Sequence, residues 1–161
     1  FGLAYQDTAM ALMGERFEHF PELKTFGIAL GGVTTAGLAM VAFTPLSDVY
    51  LMGISGLTRE LADVALTPVR VIVLLPAMSV LLSMQRAILV ERRTTEHITV
   101  ASAIEVGTVA ATFTVFGFGL DLVGATAAFT AFFAGRAASN LYLSFACRGI
   151  VAAAAEGRST R

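Results

Sequence analysis

Residues 67–112 read TPVRVIVLLPAMSVLLSMQRAILVERRTTEHITVASAIEVGTVAAT. The stretch joins two apolar runs through the charged segment QRAILVERRTTEH, and it places Arg70 in the first run and Glu105 in the second. Apolar runs of this length, separated by a short charged segment, are typical of two helices that cross a lipid bilayer and are joined by a turn. The stretch therefore predicts an all-α, polytopic membrane protein.

The composition of the whole chain also indicates a lipid environment. Of its 161 residues, 56% are hydrophobic and 14% are charged, whereas a soluble domain carries about 25% charged residues. Because so few charges cannot cover the surface with solvated groups, we expect the lipid bilayer to cover the rest of the surface. The formal net charge of −1 argues against a nucleic-acid partner. The single cysteine, Cys147, excludes an internal disulfide.

The hydropathy pattern predicts four membrane-spanning helices, at residues 25–43, 61–85, 98–118 and 122–147. Together they would form a transmembrane bundle over residues 25–147. Residues 1–24 are expected to hold the end of a preceding helix and a polar connector, and residues 148–161 a cytoplasmic tail. The chain starts at Phe1 rather than Met and lacks a signal-peptide pattern, so we expect it to be cut from a longer protein.

The connectors between these helices predict the topology. One side of the membrane would hold most of the basic residues, and the other side Arg59. The first group comprises Arg16, Lys24, Arg86, Arg92, Arg93, Arg148, Arg158 and Arg161. Because cytoplasmic loops carry the excess of lysine and arginine, we expect a multi-pass protein of the cell membrane with a cytoplasmic C-terminus.

Two local patterns bear on helix packing. Gly27 and Gly31 form a small-xxx-small pattern that would let another helix approach closely, although glycine is in any case common in membrane helices. Pro68 and Pro76 lie inside the second predicted span, where each removes a backbone hydrogen bond. In a membrane, neighbouring groups can satisfy the freed carbonyls, so we expect a kinked helix there.

Three charged residues fall in the interior of predicted spans, away from their ends: Arg70, Glu105 and Arg136. At 1.5 Å per residue, Glu105 lies about 12 Å and Arg136 about 18 Å from the cytoplasmic end. This difference is about one helical turn, which two long side chains can bridge. Arg70 lies about 24 Å from the same end, near the outer face. Burying an unpaired charge costs at least about 2.5–3.5 kcal/mol, so each is expected to face a partner or an aqueous cavity.

Each of the two deeper charges has polar neighbours at helical spacing. Ser102 and Thr108 flank Glu105, and Ser139 and Asn140 share the helix face of Arg136. One hypothesis is a transport cavity in which Glu105 takes H+ or Na+ as coupling ion and Arg136 or Arg70 holds an anionic group. The alternative is a structural ion pair between Glu105 and Arg136 that locks two helices together, with Arg70 snorkelling or in a structural role.

Enzymatic chemistry is not expected. The sequence has no GxSxG, P-loop, HExxH or GxGxxG motif. His19 and His97 lie in predicted connectors without metal-ligand spacing, so we expect no metal site and no bound cofactor.

Several segments together resemble a known family. Residues 61–90 read LADVALTPVRVIVLLPAMSVLLSMQRAILV, followed by ERRTTEHI, TVASAIEVGTVAATFTVFGFG and DLVGATAAFTAFFAGRAASNLYLSF. This order of apolar helices and turns is similar to the last four membrane helices of the MATE/MOP flippase superfamily. The elements PVRVIVLLP and GLDLVGAT look most like its progressive-ankylosis (ANK) branch. The resemblance covers most of the chain from about Lys24.

The resemblance implies a transporter with two pseudosymmetric six-helix lobes and a substrate cavity between them, working by alternating access. This chain would form most of the C-terminal lobe. Its partners would be the missing N-terminal lobe, the bilayer and a small organic, anionic or lipid-linked substrate. No strict family motif falls on Glu105 or Arg136. A different class remains open, namely a small, non-transporting structural or assembly subunit of a membrane complex.

Overall fold

The computed structural model describes residues 20–119 and 124–159. Five helices organise these residues: α1 (Phe20–Phe43), α2 (Arg59–Val71), α3 (Leu75–Glu91), α4 (Glu96–Thr114) and α5 (Gly124–Ser159). Every secondary-structure element within the two described ranges is helical. The predicted all-α class is therefore confirmed.

Three helices are long and apolar enough to cross a membrane: Glu22–Phe43, Arg59–Glu91 and Glu96–Gly117. They coincide with the first three predicted spans. Large apolar side chains such as Ile28, Val33 and Val106 are exposed on their surfaces, as expected of side chains that face lipid. The fourth predicted span, residues 122–147, falls mostly on α5, which is not among the three. That span stays a prediction.

A break separates α2 from α3 within the second span. Residues Ile72–Leu74 form a turn of 3-10 helix, placed between Pro68 and Pro76. Pro76 has no N–H to donate to the carbonyl of Ile72, so regular α-helical bonding cannot continue through this point. The two prolines thus produce an interruption where the sequence predicts a kink.

Helix α5 is central to the bundle, since it packs along α4 and also contacts α2 and α3. The buried core lies where α1, α3, α4 and α5 meet. Its members are Leu23, Val80, Leu82, Ala87, Ile88, Leu89, Ala101, Leu143 and Cys147. Helix α1 packs on α3 through Gly31, where an added β-carbon would lie 3.2 Å from the α-carbon of Ala77. The predicted close approach at the small-xxx-small pattern is therefore present.

The turn between α3 and α4 is shorter than the predicted basic turn of residues 86–97. Helix α3 continues beyond Arg86 because Ala87, Ile88 and Leu89 are buried in the core. It ends where Arg93 takes a left-handed conformation, with φ of 56°. The N–H of Arg93 then donates to the carbonyl of Val90, at 3.0 Å. Capping bonds of this kind satisfy carbonyls that have no partner within the helix.

Two further segments differ from the predicted layout. The predicted loop 46–60 contains a helical turn, Leu46–Asp48, followed by a π-helical turn, Val49–Ile54. Helix α5 continues to Ser159, through most of the predicted polar tail. The predictions for residues 1–19, for the turn at residues 120–123 and for residues 160–161 lie outside the described residues.

Candidate functional site

Glu105 and Arg136 form an ion pair between α4 and α5. The distance from Arg136 Nη2 to Glu105 Oε1 is 3.1 Å, and the side chains are 17% and 13% exposed, respectively. The depth estimate from the sequence places these two residues within reach of each other, and the structure confirms their contact. The two charges neutralise each other inside this interface.

Gly135 allows the helices to meet this closely. A β-carbon at this position would lie 2.5 Å from Val109 Cγ2 and 2.8 Å from the carbonyl oxygen of Glu105. Both separations are shorter than van der Waals contact permits, so a larger residue here would push α4 and α5 apart. The glycine next to Arg136 therefore sets the spacing at which the ion pair forms.

An aromatic ring covers the arginine on its other side. The guanidinium carbon of Arg136 lies 5.2 Å from the ring centroid of Phe132, within the range of a cation–π interaction. Arg136 Nε is buried and has no hydrogen-bond partner among the described residues. The guanidinium thus retains one unused donor beside a satisfied ion pair.

Asn140 continues the polar cluster one turn further along α5. It is buried, and its Nδ2 donates to the carbonyl of Arg136 at 2.9 Å and to that of Met78 in α3 at 3.2 Å. The neighbouring Ser139 is fully buried, and its hydroxyl has no partner among the described residues. Two of the predicted site residues therefore lie next to Arg136 on α5, and Asn140 joins α5 to α3.

Gln85 also belongs to this polar cluster. In the sequence it is only the last residue of the second predicted span. It is buried, and its Nε2 donates to the carbonyl of Asn140 at 3.2 Å and to Ser144 Oγ at 2.8 Å. The signal in the sequence is a lone amide at the end of an apolar run. A second unpredicted contact joins α4 to α5, where His97 Nδ1 lies 3.0 Å from Tyr142 Oη.

The predicted polar neighbours of Glu105 contribute less. The hydroxyl of Ser102 donates to the carbonyl of Ile98 in its own helix, at 2.9 Å. The hydroxyls of Thr34, Ser83 and Thr114 likewise bond to the carbonyl four residues earlier. Thr108 is half-buried, one turn beyond Glu105. Ser102 therefore supports its helix rather than the ion pair.

Arg70 lies apart from this cluster. It is exposed at the end of α2, and its Nε donates to the carbonyl of Ala42 at 3.3 Å. Its guanidinium carbon lies 5.6 Å from the ring centroid of Phe43. Because Ala42 stands at the C-terminal end of α1, Arg70 supplies a donor to a carbonyl that the helix leaves unpaired. This contact fits the structural alternative for Arg70 rather than a shared site with Arg136.

An open apolar groove of about 660 Å³ lies between α1 and the break in the second span. Its lining includes Thr34, Gly37, Val41, Ile72 and Pro76. The described part of the chain contains no group of three or more His, Cys, Asp or Glu side chains that could hold a metal ion. The Glu105–Arg136 ion pair lies apart from this groove, at the α4–α5 interface.

In comparisons with protein-family models, curated proteins and solved structures, nothing matches this chain. The resemblance to the MATE/MOP superfamily therefore stays a prediction.

Proposed function

We propose that this chain is part of a membrane transporter, and that Glu105 and Arg136 form its ion-responsive site. The observation that carries the proposal is the ion pair itself, with its Nη2–Oε1 distance of 3.1 Å. It lies between a helix able to cross a membrane and the central helix of the bundle. Ionisable residues at such places are costly, and they commonly serve as ion or substrate sites.

The proposed chemistry rests on competition between Arg136 and a coupling ion for the carboxylate of Glu105. A proton that binds to the carboxylate of Glu105 removes the negative charge that holds Arg136. The guanidinium then becomes available to an anionic group of a substrate. A sodium ion at Glu105 would compete with Arg136 in the same way. Each ion would thus be coupled to a change of contact between α4 and α5.

The break between α2 and α3 supports the same reading. Interrupted membrane helices are common in transporters, where they lie near the substrate and the moving interface. The 3-10 turn at Ile72–Leu74 is such an interruption, and it borders the groove next to α1.

We propose further that the chain is most of the C-terminal lobe of a MATE/MOP-type exporter or flippase. In this arrangement α5 is the fourth span, the C-terminus is cytoplasmic in the cell membrane, and an N-terminal lobe completes the cavity. The substrate is small and organic, anionic or lipid-linked, and H+ or Na+ drives its export by alternating access. The basis is the sequence resemblance together with the all-helical fold.

A structural or assembly subunit is the second candidate. The observation that favours it is the mutual neutralisation of Glu105 and Arg136, because a satisfied pair can hold two helices together without any ligand. The exposed apolar side chains of α4, such as Val106 and Phe113, would then contact a larger partner.

Export by cells that make the full-length protein separates the two functions. The probes are ethidium, an organic cation, and carboxyfluorescein, an organic anion. The comparison is wild type with Glu105→Gln, Arg136→Gln and the double variant, at equal membrane abundance. Export lost in Glu105→Gln at normal abundance supports the ion-responsive site. Export retained by the double variant at normal abundance supports the structural pair. Export of neither probe by wild type contradicts an exporter of small organic ions.

Ser102→Ala is the matched control for these variants. Its hydroxyl bonds only within its own helix, one turn from Glu105. Its export and abundance are expected to equal those of wild type. Lost export in this variant would mean that any change near Glu105 disturbs the protein, and that the result for Glu105→Gln says nothing specific about the carboxylate.

A further inference from the structure

The amide of Asn140 leaves a buried oxygen without a partner. Both acceptors of Nδ2 are backbone carbonyls, those of Met78 and Arg136, which accept and cannot donate. The orientation of the amide is therefore fixed, and Oδ1 is the atom left over. The residue is 5% exposed, and Oδ1 has no hydrogen-bond partner among the described residues.

Gln85 and Ser139 repeat the pattern beside it. Nε2 of Gln85 donates to the carbonyl of Asn140, so its Oε1 is also fixed as an acceptor, and it has no partner among the described residues. Gln85 is 4% exposed, and Ser139 is fully buried with its hydroxyl unused. An unpaired buried polar group costs about 1–3 kcal/mol. Three such groups in one place require a ligand.

The residues that carry these atoms are neighbours, and a fourth residue adds a donor. Arg136, Ser139 and Asn140 follow the i, i+3, i+4 spacing of one face of α5, and Gln85 is hydrogen-bonded to Asn140. The buried Nε of Arg136 adds an N–H that is also unused. The cluster therefore presents two amide oxygens, one hydroxyl and one cationic N–H donor.

The chemistry of this set selects the ligand. A metal cation would meet two amide oxygens and a hydroxyl but no free carboxylate, since the carboxylate of Glu105 is paired with Arg136. An anion would meet two amide oxygens that cannot donate to it. Water both donates to carbonyl oxygens and accepts from N–H groups, and buried waters commonly make about three such hydrogen bonds.

We infer that exchangeable water occupies the α3–α5 interface around Gln85, Ser139 and Asn140, next to the Glu105–Arg136 ion pair. The route to bulk water follows the polar residues towards one end of the bundle. Ser144 bonds to Gln85, and Cys147 Sγ donates to the carbonyl of Gln85 at 3.7 Å. The neighbours of these groups at that end are Arg86 and the exposed Arg148. This hydration does not depend on a transport function.

Exchange of a thiol proton in D2O tests the inference directly. Ser139→Cys is compared with Ser83→Cys, each in a Cys147→Ala background, with the protein in lipid vesicles. Both serines are buried, but the hydroxyl of Ser83 already bonds to the carbonyl of Ser79. The measurement is the rate at which the infrared S–H band shifts to S–D. We expect exchange at position 139 to be at least about tenfold faster, because thiol exchange requires water at the sulfur.

A further variant distinguishes water at these residues from a general opening of the bundle to solvent. Asn140→Leu, added to Ser139→Cys, removes one of the acceptors and is expected to slow the exchange towards that of Ser83→Cys. Equal rates at positions 139 and 83, whether both slow or both fast, would overturn the inference.

The unmodified chain covers the case in which Ser139→Cys does not fold. Its single thiol, at Cys147, lies on the proposed route. Although it is buried, it is expected to exchange measurably in wild type and more slowly in Gln85→Leu. A Cys147 thiol that fails to exchange in the wild-type protein contradicts the route.

Discussion

The backbone of Gly135 lies against the carbonyl oxygen of Glu105, so closely that a β-carbon on Gly135 would come within 2.8 Å of that oxygen. The contact joins α4 to α5 at the residue that precedes Arg136. The distance between the two charged groups therefore depends on the lack of a side chain at Gly135 as well as on the attraction between the charges.

Gly135→Ala is expected to destabilise the protein by about 1–3 kcal/mol. The added methyl group would meet Val109 Cγ2 and the backbone oxygen of Glu105, and that oxygen cannot move away without shifting a helix. Thermal unfolding in detergent measures the effect. Gly107→Ala in α4 is the control, since nothing lies within 4 Å of a β-carbon there. A Gly135→Ala protein as stable as the control would show that the helices separate without cost.

Removing one partner of the ion pair is expected to destabilise the fold by about 3 kcal/mol, because the other charge is left unpaired in an apolar interface. This applies to Glu105→Gln and to Arg136→Gln. The double variant is expected to be more stable than either single variant, and unfolding of all four proteins measures the coupling between the two residues. Additive losses in the double variant would mean that the two charges do not depend on each other.

Arg70→Met is expected to lower stability by about 1 kcal/mol, since it removes the donor to Ala42 and the contact with Phe43. The exposure of Arg70 keeps the loss small. Phe43→Leu removes the ring alone and is expected to cost less than Arg70→Met. If the two variants lose the same amount, the hydrogen bond to Ala42 contributes nothing. Thermal unfolding again provides the measurement.

Arg93→Gly is expected to raise stability by about 1 kcal/mol. Arg93 holds φ of 56° at the end of α3, and this conformation is strained for every residue with a β-carbon and free for glycine. Arg92→Gly is the comparison, because Arg92 has φ of −81° and gains no relief from glycine. A stability increase in both variants, or in neither, would contradict the assignment of strain to Arg93.

Sequence reasoning locates the ion pair because hydropathy and helical rise together fix depth. Two opposite charges that lie at similar depths from the same side of the membrane have few other partners in an apolar bundle. The same reasoning does not reveal Gln85, since a neutral amide at the end of an apolar run carries no comparable penalty. It also cannot distinguish Ser102 as part of a site from Ser102 bonded to its own helix, because both uses have the same spacing.

Helix ends are the other part that hydropathy misses. The predicted end of the second span follows the first arginine, yet α3 continues because the next residues are apolar and buried. Likewise α5 runs through the alanine-rich residues 152–155, where alanine favours helix regardless of solvent. The boundary between lipid and water is therefore not the boundary of a helix.

The hydroxyls of Thr34, Ser83, Ser102 and Thr114 are each satisfied by a carbonyl of the same helix. These helices can therefore enter a bilayer singly, without waiting for a neighbour to accept those protons. Glu105, Arg136, Gln85 and Asn140 differ, since each has a partner in another helix. Assembly of this bundle thus has an order built into it: insertion first, and then the docking of α3 and α4 on α5 as the step that needs the whole group together.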